Sequence, residues 1–113
     1  MKTTTHIKEL TKGFIRESAI KELTWRGHDV WINNNLAVKG RKFIGRRGVS
    51  DIIGITKDGR WVACEVKTLN DTLSGDQIIF LNDIKKAGGE AYIACQAGSR
   101  VELKEWEIQK VER

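Results

Sequence analysis

Residues 51–67 read DIIGITKDGRWVACEVK, and this stretch decides the fold. Two apolar, β-branched runs, 51–56 and 60–68, flank Lys57, Asp58 and Gly59. An Asp-Gly pair between such runs is typical of a β-hairpin turn. The second run is apolar on both of its alternating faces, which is the pattern of a strand covered on both sides. We therefore predict two adjacent antiparallel strands.

The end of the second strand carries two charges. Side chains alternate along a strand, so Glu65 and Lys67 point to the same face. Charged groups in a buried strand are costly unless they are paired or bind a ligand. The alternative is that the strand emerges into solvent here, since Thr68, Leu69 and Asn70 follow. Glu-x-Lys by itself is a weak signal.

Asp51 strengthens the signal because it begins the partner strand. Two carboxylates on adjacent strands suit a hard divalent cation, and Mg²⁺ binds through one or two carboxylates, waters and substrate phosphates. Such a site activates water and offsets charge on a phosphoryl group. Lys67 would add positive charge beside the phosphate or help deprotonate the water.

The hairpin register decides whether this site forms. A two-residue turn at Asp58 and Gly59 pairs Asp51 with Val66, which places Asp51 and Glu65 on opposite faces. A three-residue turn or a bulge brings the two carboxylates together, and bulges are common near active sites. The hypothesis therefore requires the longer turn.

The rest of the chain predicts a single α/β domain, 1–113, with a mixed central sheet flanked by helices in the order α-β-β-β-α-β. The other predicted elements are a helix over 6–25, a strand over 28–32, a long loop over 33–49, a helix from Ser74 to Gly88, a strand over 91–95, and a short helix after Gly98 carrying Val101, Leu103 and Trp106.

Two more polar residues are candidates for the site. One side of the first predicted helix carries Ile7, Leu10, Phe14, Lys21 and Trp25. Glu17 falls among them, where an acid needs a partner. The alternative for Glu17 is an ordinary surface pair with Lys21. Gln77 stands three residues after Ser74, so it is either a capping-box residue or part of the site.

The net positive charge permits a nucleic-acid partner, and the distribution of the basic residues is more informative than their number. The net charge is +5, and a glycine-rich stretch without acids concentrates basic side chains. These are Lys39, Arg41, Lys42, Arg46 and Arg47. We interpret the stretch as a phosphate-contacting loop, with a plain solvated loop as the alternative. No apolar run is long enough for a signal peptide or a membrane span, so we expect a cytoplasmic protein, in a bacterial cell or a phage-infected host. Cys64 and Cys95 are expected to be buried free thiols on neighbouring strands.

These residues together resemble the VRR-NUC family, the virus-type replication-repair branch of the PD-(D/E)XK nucleases. The matching motifs are Gly48-Val49-Ser50-Asp51, Gly59-Arg60, Glu65-Val66-Lys67, Ser74 with Gln77, Phe80-Leu81 and Ala87-Gly88-Gly89. Ser50 stands where the superfamily's name places a proline, which is usual for this branch. The resemblance covers nearly the whole chain and implies a restriction-endonuclease-like core.

The resemblance implies Mg²⁺- or Mn²⁺-dependent hydrolysis of DNA phosphodiesters. Asp51, Glu65 and the Val66 carbonyl would be metal ligands, and Lys67 the catalytic lysine. Glu17 would match the first-helix acid, reaching the metal through water, and Gln77 the motif glutamine. Ser50 and the basic loop would contact DNA.

Short stand-alone members are similar to archaeal Holliday-junction resolvases, so we expect a homodimer that cuts branched DNA, since two symmetric cuts suit a two-fold dimer. Trp25, Trp31 and Trp106 are candidates for its surface, each favoured as a core residue. The alternatives are a nuclease for flaps, single strands or duplex DNA with the same site, and a DNA-binding module without catalysis.

Overall fold

A computed structural model describes residues 7–33 and 45–111 of the chain. Two helices and five strands form in the described part: α1 (Lys12–Trp25), β1 (Asp29–Ile32), β2 (Ile52–Ile55), β3 (Trp61–Lys67), α2 (Gly75–Lys86), β4 (Glu90–Ala97) and β5 (Arg100–Glu105). The strands form one sheet in the order β1-β2-β3-β4-β5. β3 and β4, which α2 connects, are parallel, and every other neighbouring pair is antiparallel. The predicted mixed α/β fold is confirmed.

The hairpin between β2 and β3 takes the longer turn. Ile52 pairs with Cys64 and Ile55 with Trp61. The backbone N–H of Thr56 donates to the carbonyl of Arg60 at 2.8 Å. Gly59 ends the turn at a φ of 85°, a conformation that glycine adopts without steric cost. Continuing this register by one step places Asp51 opposite Glu65.

The two helices cover opposite faces of the sheet. Ile15, Ala19 and Leu23 of α1 pack in one buried cluster with the even-numbered β3 residues Val62, Cys64 and Val66. The second buried cluster lies on the other face, where α2 packs. Its members are Ala63, Phe80, Leu81, Ala91 and Trp106. β3 is therefore buried on both faces, as its sequence predicts.

The predicted apolar face of α1 is wrong. The helix begins at Lys12, after Thr11 caps the Phe14 N–H, and not near His6. Its buried residues recur every four positions, whereas Phe14 and Trp25 are exposed. Isoleucine, alanine and leucine fit close to the sheet, and the larger aromatic residues lie outside.

The predicted C-terminal helix is also wrong, because this segment is β5. Gly98 and Ser99 form a tight turn after β4, with Gly98 at a φ of 62°. Val101 and Leu103 are two residues apart and both face the sheet's α1 side, which is strand periodicity. Trp106 is buried as expected, and its indole N–H donates to Asn82 at 2.9 Å.

Cys64 is buried and Cys95 half-buried, and both are free thiols on the neighbouring strands β3 and β4. Neither described helix has the length and apolarity needed to cross a membrane.

Candidate active site

The site is built on the register of β2 and β3. Asp51 precedes β2 and Glu65 lies near the end of β3, on the sheet face that α2 covers. Glu65 is only 1% exposed. Burial, and then the neighbouring Asp51 carboxylate, raise the pKa of Glu65 to about 8. The two carboxyl groups therefore interact directly, as the metal-site hypothesis requires.

Each carboxylate has one oxygen held by the protein. The Val66 N–H donates to Asp51 Oδ2 at 2.9 Å, and Gln77 Nε2 donates to Glu65 Oε1 at 3.0 Å. Lys12 Nζ lies 3.6 Å from Asp51 Oδ1. Among the described residues, no hydrogen-bond donor reaches the buried Oε2 of Glu65.

Gln77 makes hydrogen bonds that are compatible with both alternatives, the capping box and the site. Its Oε1 accepts from the Ser74 N–H at 2.9 Å, which completes the capping box of α2. The same oxygen accepts from Lys67 Nζ at 3.0 Å while Nε2 holds Glu65. Lys67 Nζ also donates to the carbonyl of Thr72 at 3.1 Å. The first turn of α2 therefore fixes Glu65 and Lys67 relative to each other.

Gly48 allows the chain before Asp51 to approach α2. A Cβ at this position would lie 2.3 Å from the carbonyl carbon and oxygen of Asp76, and the φ of Gly48 is 79°. No other residue type fits both constraints without a shift of backbone. Close packing here brings Asp51 and the start of α2, with Gln77, to the same end of the sheet.

The basic stretch is only partly visible. Lys39, Arg41 and Lys42 lie outside the described residues. Arg46 is an ion-pair partner of Asp83 at 2.6 Å, and its guanidinium carbon lies 4.9 Å from the Phe80 ring centroid. Arg46 therefore also anchors its segment to α2. Arg47 is exposed and has interactions of its own.

Two predicted site residues differ in solvent exposure from what the sequence predicts. Glu17 is exposed, on the face of α1 opposite Ile15 and Ala19, so the premise that it shares the buried stripe is wrong. No described hydrogen bond or ion pair joins Glu17 to Asp51 or Glu65, and its water-mediated role at the metal stays a prediction. Ser50 is fully buried, so its side chain is not accessible for the predicted DNA contact.

Sequence reasoning missed Lys12, which is the residue that α1 does bring to Asp51. The available signal was weak: a lysine directly after the helix cap Thr11. Its contact with a residue 39 positions away depends on how α1 packs on the sheet.

The residues present fit a divalent cation. Glu65 Oε2 is a buried oxygen with no donor among the described residues, and Asp51 contributes a second carboxylate beside it. The described residues contain no cluster of three or more acidic, histidine or cysteine side chains that would hold a metal alone. A pair of carboxylates is the donor set that Mg²⁺ uses when waters and phosphate oxygens complete its shell.

The raised pKa of Glu65 predicts how stability depends on pH without metal. Its pKa of about 8 in the folded protein exceeds the ordinary value of 4.5, so the folded state holds the proton more tightly. This contribution is complete below about pH 4.5 and is lost as the pH rises to 8. In EDTA we expect the free energy of unfolding to fall by on the order of 2 kcal/mol between pH 6 and pH 8.5.

Urea unfolding of the wild type and Glu65→Gln at both pH values measures this loss. The variant should show a much smaller decline, because its amide does not titrate. Equal declines in the two proteins would mean that Glu65 is ionised in the folded state at neutral pH.

The sheet order, the helix on each face and the carboxylates at one end of β2 and β3 define a restriction-endonuclease-like α/β protein. The sequence profile of the VRR-NUC domain matches residues 30–97 of the 113, and the chain belongs to that family. Family membership supports a nuclease.

The fold is similar to that of Hjc from Archaeoglobus fulgidus, described as a Holliday junction resolvase from an archaeal hyperthermophile. The TM-score is 0.58 at 22% sequence identity, and the match covers 89% of this chain and 80% of Hjc. At this identity the likeness concerns the fold. No curated protein matches the sequence significantly.

Proposed function

We propose that the protein is a metal-dependent endonuclease that hydrolyses phosphodiester bonds in branched DNA, in the manner of a Holliday-junction resolvase. One observation carries the proposal: Asp51 and Glu65 lie side by side, each with one oxygen that accepts no hydrogen bond from the described residues, and Lys67 is two residues further along β3 than Glu65. A charged lysine and two carboxylates at one sheet end suit phosphoryl chemistry.

Asp51 Oδ1, Glu65 Oε2 and the Val66 carbonyl would hold Mg²⁺ or Mn²⁺. When bound, the cation would polarise the scissile phosphate and lower the pKa of a water ligand. Lys67 would place its ammonium beside the phosphate, where negative charge develops. Gln77 keeps Glu65 and Lys67 in register through its two hydrogen bonds.

Branched DNA is the substrate we infer from the fold likeness to Hjc and from the positive net charge of +5. A four-way junction requires two cuts related by a two-fold axis, which a symmetric homodimer would supply. Trp25 and Trp31, which are 85% and 44% exposed, remain candidates for the dimer surface. Trp106 is buried and is no longer a candidate.

Cleavage of a labelled four-way junction, a flap, a single strand and a linear duplex tests the function, each with Mg²⁺, Mn²⁺ or EDTA. Paired, metal-dependent cuts confined to the junction would support the resolvase activity. Cutting of flaps, single strands or duplex would retain the nuclease and exclude the resolvase. Tight DNA binding without cleavage under any condition would favour the binding module.

The homodimer gives a separate prediction. Sedimentation equilibrium at micromolar concentration should report about 26 kDa, twice the chain mass of 12.8 kDa. Matched runs in low and high salt separate a specific dimer from charge-driven association. A mass near 13 kDa in both would contradict the dimer and with it the symmetric paired cuts.

A further inference from the structure

Lys12 occupies a position next to the one oxygen of Asp51 that the backbone does not hold. Its Nζ lies 3.6 Å from Oδ1, while Oδ2 accepts the Val66 N–H. The Lys12 side chain is 49% exposed and Asp51 26% exposed, so the ion pair lies at the solvent side of the site. A divalent cation held by Asp51 would need the oxygen that Lys12 now neutralises.

The location of Lys12 is unfavourable for the helix alone. It is the first residue of α1, and the first turn of α1 has no acidic residue. Helix N-termini carry partial positive charge, which disfavours a lysine there. Asp51 offsets that repulsion. The ion pair with Asp51 therefore accounts for a lysine at this end of α1, whereas the stability of the helix does not.

Lys12 also acts on the second carboxylate. The positive charges of Lys67 and Lys12 lower the pKa of Glu65, against the larger opposing effects of burial and of Asp51. A cation that disfavours a proton on this pair also disfavours a metal ion, and more strongly, because the metal carries two charges.

We propose that Lys12 is a positioning residue that serves as an internal counter-cation: it competes with the divalent metal for Asp51 Oδ1 and thereby weakens metal binding in the absence of DNA. The inference rests on the metal site of the proposed function. It assigns α1 a cation at the site, where the resemblance implied the acid Glu17.

The test is Mn²⁺ affinity, measured by isothermal titration without DNA at pH 8.5, where a proton on Glu65 competes less. Lys12→Met and Lys12→Gln should each bind Mn²⁺ roughly threefold to tenfold more tightly than the wild type, as expected for a half-exposed ion pair and its repulsion of the metal. Lys12→Arg keeps the charge and should stay near the wild type. Lys21→Met is the matched control, because Lys21 is an exposed lysine of the same helix.

Salt separates this role from a structural one. The gain in affinity should shrink between 50 mM and 500 mM salt, since the repulsion is screened. Equal or weaker Mn²⁺ binding by both neutral variants would overturn the role of Lys12 while leaving the metal site intact. Absence of Mn²⁺ binding by the wild type and every variant would instead overturn the metal site itself, and the inference with it.

Discussion

Glu65→Gln is expected to lower metal-dependent DNA cleavage by at least about a thousandfold, which is the scale of losing a metal ligand in phosphoryl chemistry. The glutamine keeps the size of the side chain and an oxygen that accepts the Gln77 hydrogen bond. It removes the negative charge that a divalent cation needs at Oε2. The substitution therefore tests charge and not packing.

DNA binding in EDTA at about pH 7 should persist in Glu65→Gln, because Glu65 is largely protonated there without metal and the amide leaves the charge of the site almost unchanged. Filter binding or fluorescence anisotropy with a junction measures this separately from cleavage. Glu17→Gln is the matched control, since Glu17 is an exposed acid on the far face of α1. Wild-type cleavage by Glu65→Gln would remove Glu65 from the site, whereas loss of cleavage in Glu17→Gln would restore a role for the first-helix acid.

The two carboxylates show which features of the site can be predicted from the sequence and which cannot. The pattern of 51–67 predicts two strands and names Asp51, Glu65 and Lys67, but it leaves two registers open. The difference is one residue in the turn, and that residue inverts the face of Asp51. The pairing of Thr56 with Arg60 and the positive φ of Gly59 select the register that joins the carboxylates. The length of such a turn is decided by backbone hydrogen bonds in the folded protein, and the residue types favour one length without determining it.

Helix α1 shows the opposite case, where a pattern misled. The predicted apolar face is centred on the large side chains Phe14 and Trp25, which are exposed. The face that is buried carries Ile15, Ala19 and Leu23. Glu17 then fell among apparently buried positions. The correct face is decided by how closely the helix packs on the sheet, which favours small and aliphatic side chains. The contact of Lys12 with Asp51 could not be predicted either, because the two residues are distant in sequence.

In the basic stretch, the sequence identifies residues that matter but not the contacts that they make. The density of positive charge predicts Arg46 as a DNA contact, whereas in the structure Arg46 forms an ion pair with Asp83 and lies against the Phe80 ring. A high density of basic residues predicts a positively charged surface, but it does not show which of these residues form ion pairs within the protein. The sequence identifies Gly48 only as part of a motif. The structure explains why a glycine is needed there: a Cβ at this position would lie 2.3 Å from the backbone carbonyl of Asp76.

Lys67→Met is expected to reduce cleavage about a hundredfold to ten-thousandfold while leaving Mn²⁺ binding intact, the range for losing a charge-stabilising or proton-transferring group. Lys67 touches neither carboxylate through a hydrogen bond in the described contacts; its Nζ donates to Gln77 and Thr72. Gln77 Oε1 keeps the Ser74 N–H as a donor in the variant, so the capping box survives. Loss of activity would therefore not reflect loss of the helix start.

Single-turnover cleavage beside Mn²⁺ titration separates the two properties, and Lys67→Arg divides the remaining explanations. Arginine keeps a positive charge but does not act as a general acid or base at neutral pH, because its guanidinium group stays protonated. Substantial activity in Lys67→Arg would favour a fixed charge beside the scissile phosphate, and an inactive arginine variant would favour proton transfer or a geometry that only the ammonium meets. Wild-type turnover by Lys67→Met would exclude Lys67 from the reaction and reduce its role to the two hydrogen bonds that fasten the end of β3 to α2.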